Sequence, residues 1–159
     1  MTSTASIETT PNAATEHLLI VEVGGQLFAF SAAHLREVIP WRRATRIPGA
    51  PLPVRGLINL RGALIVVADV AKRLLGDALE KQVTEDGSIV LVECEGKSLG
   101  LAVHDVRDVV AIEVEPLEGA GPTGFDQPLS MSLCRGVGRL EGEIVIVLDV
   151  AALARQVVA

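Results

Sequence analysis

Apolar residues along this chain fall in short runs of four to six, separated by two-residue breaks that end in glycine. Leu18–Val23 and Leu27–Phe30 flank Gly24-Gly25, and Ile89–Cys94 and Ser98–Val103 flank Glu95-Gly96. Leu57–Leu60 passes through Arg61-Gly62 into Ala63–Ala68, and Val137–Leu140 passes through Glu141-Gly142 into Ile144–Leu148. Runs of this length around a two-residue, glycine-containing connection predict β-hairpins whose turns need positive φ. Each series of strands ends at an aspartate. Asp69 precedes a short helix over Val70–Leu75 that Gly76 stops, and Asp149 precedes a final helix over Val150–Val158. Both aspartates read as N-caps, contributing about 1 kcal/mol each, and not as catalytic groups. His34, after Ala32-Ala33, reads as part of a helical turn.

The same pattern occurs twice. Leu18–Ile39 aligns with Ile89–Val110 at an offset of 71, matching Val21-Glu22 with Val92-Glu93, Gly25 with Gly96, and Arg36-Glu37-Val38-Ile39 with Arg107-Asp108-Val109-Val110. Arg55–Ala71 aligns with Arg135–Ala151 at an offset of 80, with eight identities in seventeen positions that include Arg-Gly, the turn glycine and Asp-Val-Ala. The change of offset implies a nine-residue insertion in the second copy, expected in the Pro/Gly-rich stretch 113–130, which reads as a loop. A few short strands cannot bury a sheet face alone. Two copies packed together, or each curled into a small barrel, can, and a groove between them is a natural docking site.

Composition narrows the class. Apolar residues make up 49% of the 159, but aromatics only 3%, so the core is built from Val, Leu, Ile and Ala. The apolar runs are far shorter than the roughly 20 residues of a membrane span, and no secretory signal opens the chain. Two cysteines, Cys94 and Cys134, make no disulfide framework, and a reduced cytoplasmic protein is expected. Residues 1–16 lack apolar periodicity and are expected to form a disordered tail before a single folded unit at 17–159, divided into subdomains at about 17–80 and 81–159. The net charge of −6 argues against nucleic acid as a partner. That charge is uneven. Residues 36–73 hold eight basic and two acidic residues, whereas the remainder holds six basic and eighteen acidic. The basic stretch is either a docking face for an acidic partner or a chance fluctuation of a solvated surface.

Catalytic signatures are absent. Gly119–Gly124 fits G-x-G-x-x-G literally, but Pro122 lacks the N–H such a loop aims at phosphate, and Phe125-Asp126-Gln127-Pro128 does not open a helix. Nucleotide binding through this loop is the less favoured alternative function. His17, His34 and His104 show no metal-ligand spacing with one another or with the cysteines, so no metal or cofactor is expected. Cys94 reads as a small core residue, and nothing in the sequence pairs Cys134 with a base.

Leu35-Arg36-Glu37-Val38-Ile39, Thr45-Arg46-Ile47-Pro48-Gly49-Ala50-Pro51 and Val54-Arg55-Gly56-Leu57-Ile58-Asn59-Leu60-Arg61-Gly62 together resemble the core signature of CheW-type coupling proteins, and Val103–Val109 and Arg135-Gly136-Val137-Gly138 fit it too. The resemblance runs from about Leu18 to Leu153. It implies an all-β fold of two small SH3-like five-stranded β-barrels around a shared hydrophobic interface, with short helices and a C-terminal helix. It also implies a non-enzymatic, cytoplasmic adaptor recruited to receptor arrays. The implied partners are the cytoplasmic tip of methyl-accepting chemoreceptors and the regulatory domain of a CheA-type histidine kinase. An adaptor of a chemosensory-like pathway controlling surface motility, a second messenger or development is the alternative. By resemblance, Glu37 and Arg61 pair at the receptor-facing site beside Leu35, Val38, Ile39 and Asn59, and the kinase docks around Thr45, Arg46, Ile47 and Gly56. Trp41-Arg42-Arg43 departs from the family pattern. Trp41 is either an interface residue or a locally packed cover of a barrel end. At the equivalent positions of the second copy the acid–base pair becomes Asp108 and Glu141, both acidic.

Overall fold

The computed structural model describes residues 14–49, 54–69, 86–116 and 133–158, with side chains to Arg155. Among the described residues, ten strands form two five-stranded sheets, followed by one helix. In chain order the strands are β1 (Ala14–Val23), β2 (Gln26–Ser31), β3 (Leu35–Pro40), β4 (Val54–Leu60) and β5 (Ala63–Asp69), then β6 (Ser88–Cys94), β7 (Lys97–Val103), β8 (Asp105–Pro116), β9 (Cys134–Leu140) and β10 (Glu143–Leu148). The helix α1 spans Val150–Val158, and a 3-10 turn at Ala32–His34 joins β2 to β3.

The four predicted hairpins form as their turn chemistry requires. φ is positive at both turn residues in each: Gly24 and Gly25 (58° and 83°), Arg61 and Gly62 (51° and 89°), Glu95 and Gly96 (54° and 78°), and Glu141 and Gly142 (51° and 84°). Positive φ at both central residues marks a type I′ turn, whose twist matches that of the flanking strands.

The sheets do not divide the chain at residue 80 as the duplication suggested. The first is a closed barrel ordered β1-β2-β10-β9-β8, and the second runs β3-β6-β7-β5-β4. Each therefore combines an N-terminal hairpin from one copy with the last three strands of the other. The copies join through parallel pairings of β2 with β10 and of β5 with β7, and through antiparallel pairings of β1 with β8 and of β3 with β6. The physical reason is that the strand following each first hairpin crosses to the other sheet. The 3-10 turn makes one crossing, with Ser31 Oγ accepting from the Ala33 amide at 3.2 Å. His104 makes the other: its amide donates to the Glu22 carbonyl at 3.0 Å and its Nδ1 accepts from the Gly24 amide at 3.0 Å.

Other expectations also shift. Ala14–Glu16, placed in a tail, belong to β1 and pair with Val114, Glu113 and Ile112 of β8; residues 1–13 lie outside the described residues. Strand β8 runs to Pro116, so the first residues of the expected 113–130 loop are strand, because Ile112 and Val114 point inward while Glu113 and Glu115 point out. The helix expected at Val70–Leu75 and the Gly119–Gly124 loop lie outside the described residues. The final helix has the expected bounds, and Asp149 caps it, its Oδ1 accepting from the Ala152 amide at 3.1 Å.

Three apolar clusters form the core. The barrel interior holds Leu18, Ile20, Leu27, Ala29, Ile112, Val114, Val145 and Val147. The second sheet encloses Ile58, Ile65, Val67, Ile89, Leu91 and Ala102. Between them lies the largest cluster, to which both sheets and α1 contribute, among them Phe28, Phe30, Val90, Leu101, Leu148 and Leu153. Alternate residues of one strand serve different clusters: Leu18 and Ile20 face into the barrel, whereas Leu19 and Val21 face the second sheet. This is why strands such as Leu18–Val21 read as unbroken apolar runs.

Candidate functional site

The second sheet closes differently from the barrel. In the barrel, β8 continues as a strand and pairs with β9 at Glu115–Val137 and Pro116–Gly136. In the second sheet, β3 ends at Pro40 and the chain returns to β4 only at Thr45. The Thr45 amide donates to the Leu57 carbonyl, and the Leu57 amide donates to the Thr45 carbonyl, both at 2.8 Å. Gly56 permits this contact. It sits at φ +147°, and a Cβ there would lie 2.2 Å from the Thr45 carbonyl oxygen. The segment between Pro40 and Thr45 is pinned from the side as well. The Arg55 guanidinium lies 4.7 Å from the centroid of the Trp41 ring, a cation–π contact. Arg55 also donates to Asp69 Oδ2 at 3.2 Å, and that carboxylate is only 1% exposed. Trp41 itself is half-buried against the core of the second sheet, so of its two readings the packed one describes its surroundings.

The hairpin β4–β5 carries Arg61 at its tip, and the side chain reaches Glu37 on β3 in an ion pair. The turn beneath is held by Asn59, whose Oδ1 accepts from the Gly62 amide at 2.9 Å. Arg61, Glu37 and Asn59 thus form one cluster on the outer surface, with Arg61 69% exposed at its side chain. Val38, the next residue on β3, is also exposed, on the strand's other face. Leu35 and Ile39 turn inward and pack against the shared core and the second-sheet core respectively. The expected kinase-side residues form a second group. Thr45 and Arg46 are exposed, Ile47 is half-buried, and Gly56 is buried beneath Thr45, where it shapes the surface without belonging to it.

The equivalent site of the second copy differs. Asp108 Oδ1 accepts from the Val109 amide at 2.8 Å, and Glu141 stands exposed at its turn. Arg42, Arg43, Arg46 and Arg61 are exposed on the first-copy segment, whereas Glu113, Glu115, Glu141 and Glu143, together with Arg139, are exposed on the matching strands and turn of the second. Other pairs survive duplication. Arg107 donates to Glu22 at 2.8 Å, and the matching residues Arg36 and Glu93 are also paired. Both pairs join strands of opposite copies. Arg135 departs from its counterpart Arg55: it grips Glu16 through two bonds, at 2.6 and 2.9 Å. Those bonds hold the Glu16 carboxyl below its ordinary range and raise Arg135 above its own.

The sequence reading missed two features. Leu64, paired in register with Asn59, is 69% exposed. It, Val38, Val109 and Ile144 are the large exposed apolar residues among the described ones, and the alignment matches them in pairs, Val38 with Val109 and Leu64 with Ile144. An apolar residue retained on the outer face of both copies was the available signal. The other is Arg42, whose Nη1 donates to the Asn59 carbonyl at 2.7 Å. Nothing in the sequence pattern announces that contact.

Both cysteines sit where the thiol is favoured over the thiolate. Burial pushes the Cys134 thiol up to about 11, and the half-buried Cys94 is also raised, by burial first and then by the neighbouring Glu95 and Asp149 charges. Among the described residues no three His, Cys, Asp or Glu side chains gather to hold a metal ion, and no helix is long and apolar enough to cross a membrane.

Comparison with known proteins agrees with this architecture. The CheW-like domain family matches residues 17–158. The chemotaxis protein CheW of Rhizobium meliloti (strain 1021) is 30% identical over 132 residues, covering 83% of each chain. That of Bacillus subtilis (strain 168) is 27% identical over 138 residues, covering 87% of this chain and 86% of its own. The crystal structure of the scaffolding protein TtCheW from Thermoanaerobacter tengcongensis superposes with a TM-score of 0.72 at 24% identity, covering 86% of this chain and 90% of the other. That likeness is one of fold.

Proposed function

The chain belongs to the CheW-like domain family, and from that premise we propose that it is a non-enzymatic cytoplasmic adaptor, recruited to receptor arrays, that links the cytoplasmic tip of methyl-accepting chemoreceptors to the regulatory domain of a CheA-type histidine kinase. The observation that carries this reading is the Glu37–Arg61 ion pair. It lies on the outer surface, at a turn held by Asn59, in the copy that kept opposite charges. An ion pair this exposed contributes about 0–1 kcal/mol to folding, too little to explain it as a structural device. A surface offering one carboxylate and one guanidinium, with the exposed Val38 at the next position of β3, suits a partner surface of mixed charge and apolar character. On this reading the receptor contacts Glu37, Arg61, Val38 and Asn59, while Leu35 and Ile39 support the strand from within. The kinase docks on Thr45, Arg46 and Ile47, and Gly56 sets how closely that segment lies against β4.

The test uses Glu37→Arg, Arg61→Glu and the double swap, with affinity for a receptor-tip fragment and for a kinase regulatory domain measured beside thermal melts. Each single change puts like charges together and is expected to weaken receptor binding with little change in melting. The double swap recovers part of the loss, and kinase binding persists. Unchanged receptor affinity in both single variants refutes the assignment. A large fall in melting temperature shows the pair to be structural instead.

A further inference from the structure

Strand β4 lies at the end of its sheet, and the edge it turns away from β5 needs cover. Main-chain groups two residues apart on a strand point to the same edge. Leu57 is covered by the main chain of Thr45. Two residues on, the Asn59 carbonyl is covered by a side chain, the Arg42 guanidinium at 2.7 Å. The barrel solves the same problem with main chain. There β8 pairs with β9 at Glu115–Val137 and Pro116–Gly136, and it lies so close at Gly138 that a Cβ would sit 3.1 Å from the Glu113 carbonyl oxygen. At the offset of 71, Glu113 is the counterpart of Arg42. In the second sheet, at this end of the edge, a side chain lies where the barrel brings a neighbouring strand close.

The residue so held is the one that shapes the charged tip. Arg42 holds the Asn59 carbonyl, Asn59 Oδ1 holds the Gly62 amide, and the Arg61-Gly62 turn presents Arg61 to Glu37. Glu37 and Arg42 stand on the same stretch of chain, five residues apart. That stretch thus grips the hairpin at its tip and again two residues before the turn. Trp41, stacked on Arg55, fixes the stretch where Arg42 leaves it.

We propose that Arg42 is a positioning residue for the Glu37–Arg61 pair: it seals the β4 edge at Asn59 and so sets the hairpin that presents Arg61. The inference rests on that pair being the receptor-docking surface and adds a residue to it. Arg42 contributes through Asn59 and the turn, without touching the receptor.

The test combines a measurement on the protein alone with one on the complex. Arg42→Ala is expected to speed amide exchange at Gly62 roughly three- to tenfold, the factor a single net hydrogen bond supplies. Receptor-tip affinity should fall by a similar factor, with the melting temperature little changed. Arg42→Lys, which retains a donor, should restore most of both. In an Arg61→Ala background, Arg42→Ala should bring no further loss of affinity. The proposal is overturned if Gly62 exchange does not respond to Arg42→Ala. It is equally overturned if the affinity loss persists in full without Arg61, which would make Arg42 a direct contact, or if Arg42→Ala lowers the melting temperature substantially and speeds Leu57 exchange as much as Gly62. Should Glu37→Arg and Arg61→Glu leave receptor affinity unchanged, the docking assignment falls, while Gly62 exchange still decides whether Arg42 sets the turn.

Discussion

Replacing Gly56 with alanine tests how the second sheet closes. The new Cβ would lie 2.2 Å from the Thr45 carbonyl oxygen and 2.7 Å from its carbon, and both are main-chain atoms that cannot rotate away. The segment must lift off β4. Doing so breaks the two Thr45–Leu57 hydrogen bonds, worth about 1 kcal/mol each net. The backbone at φ +147° adds strain of about 1–3 kcal/mol for a residue with a side chain. Together these give a loss of roughly 3–5 kcal/mol, a large share of the stability of a typical domain. Gly62→Ala is the control, because Gly62 has φ +89° and nothing within 4 Å of its would-be Cβ. It suffers the strain alone, about 1 kcal/mol. Denaturant unfolding followed by circular dichroism gives both values, and the emission of Trp41, the sole tryptophan, reports the lifted segment directly. A Gly56→Ala loss no larger than that of Gly62→Ala would refute the close approach as the reason for glycine.

Two further outcomes follow from the interleaved sheets and their ion pairs. Fragments 1–80 and 81–159, produced separately, should show no cooperative melt, because each lacks strands that both sheets require, whereas mixing them should restore one; two independent sharp transitions would contradict the topology. Because Arg135 lowers the carboxyl of Glu16 in the folded state, the pair's contribution is complete above the ordinary glutamate range and is lost as pH falls through that range into Glu16's own depressed one. Glu16→Gln should therefore destabilise by about 1 kcal/mol at neutral pH, with the difference from the parent vanishing in acid, as read from urea midpoints across pH; a constant difference would exclude the charge as the cause.

The hairpins and the final helix were legible because their information is local. A Gly at the second turn position and an Asp before an apolar run each specify a conformation within a few residues. The Glu37–Arg61 pair was legible through family resemblance and the turn that exposes Arg61. The assignment of hairpins to sheets was not, since either first hairpin has suitable apolar faces for either set of three strands. The one trace of it lay in charge: Glu22 and Glu93, and Arg36 and Arg107, recur together, yet the pairs formed are Arg36 with Glu93 and Arg107 with Glu22, always across copies. Strand β8 was hidden by Pro116 and by acidic residues that suggest loop, although Ile112 and Val114 alternate with them as a strand of the barrel wall requires. Arg42 escaped because an arginine donating to a carbonyl seventeen residues away leaves no periodic mark.

The parallel pairing of β2 with β10 has a consequence for how the molecule is made. Phe28 pairs with Ile146, so the β1–β2 hairpin must wait during synthesis for a strand made much later. Until then its inner face, including Leu27 and Ala29, has no barrel to close around it. Contacts between such distant positions slow folding and prolong the exposure of apolar strands. A nascent chain that terminates before Glu143 cannot complete the barrel, and the central cluster loses Ile146 and Leu148 along with the helix residues Val150 and Leu153. Closure of the barrel is therefore tied to synthesis of β10, and a product truncated before it carries an open sheet edge.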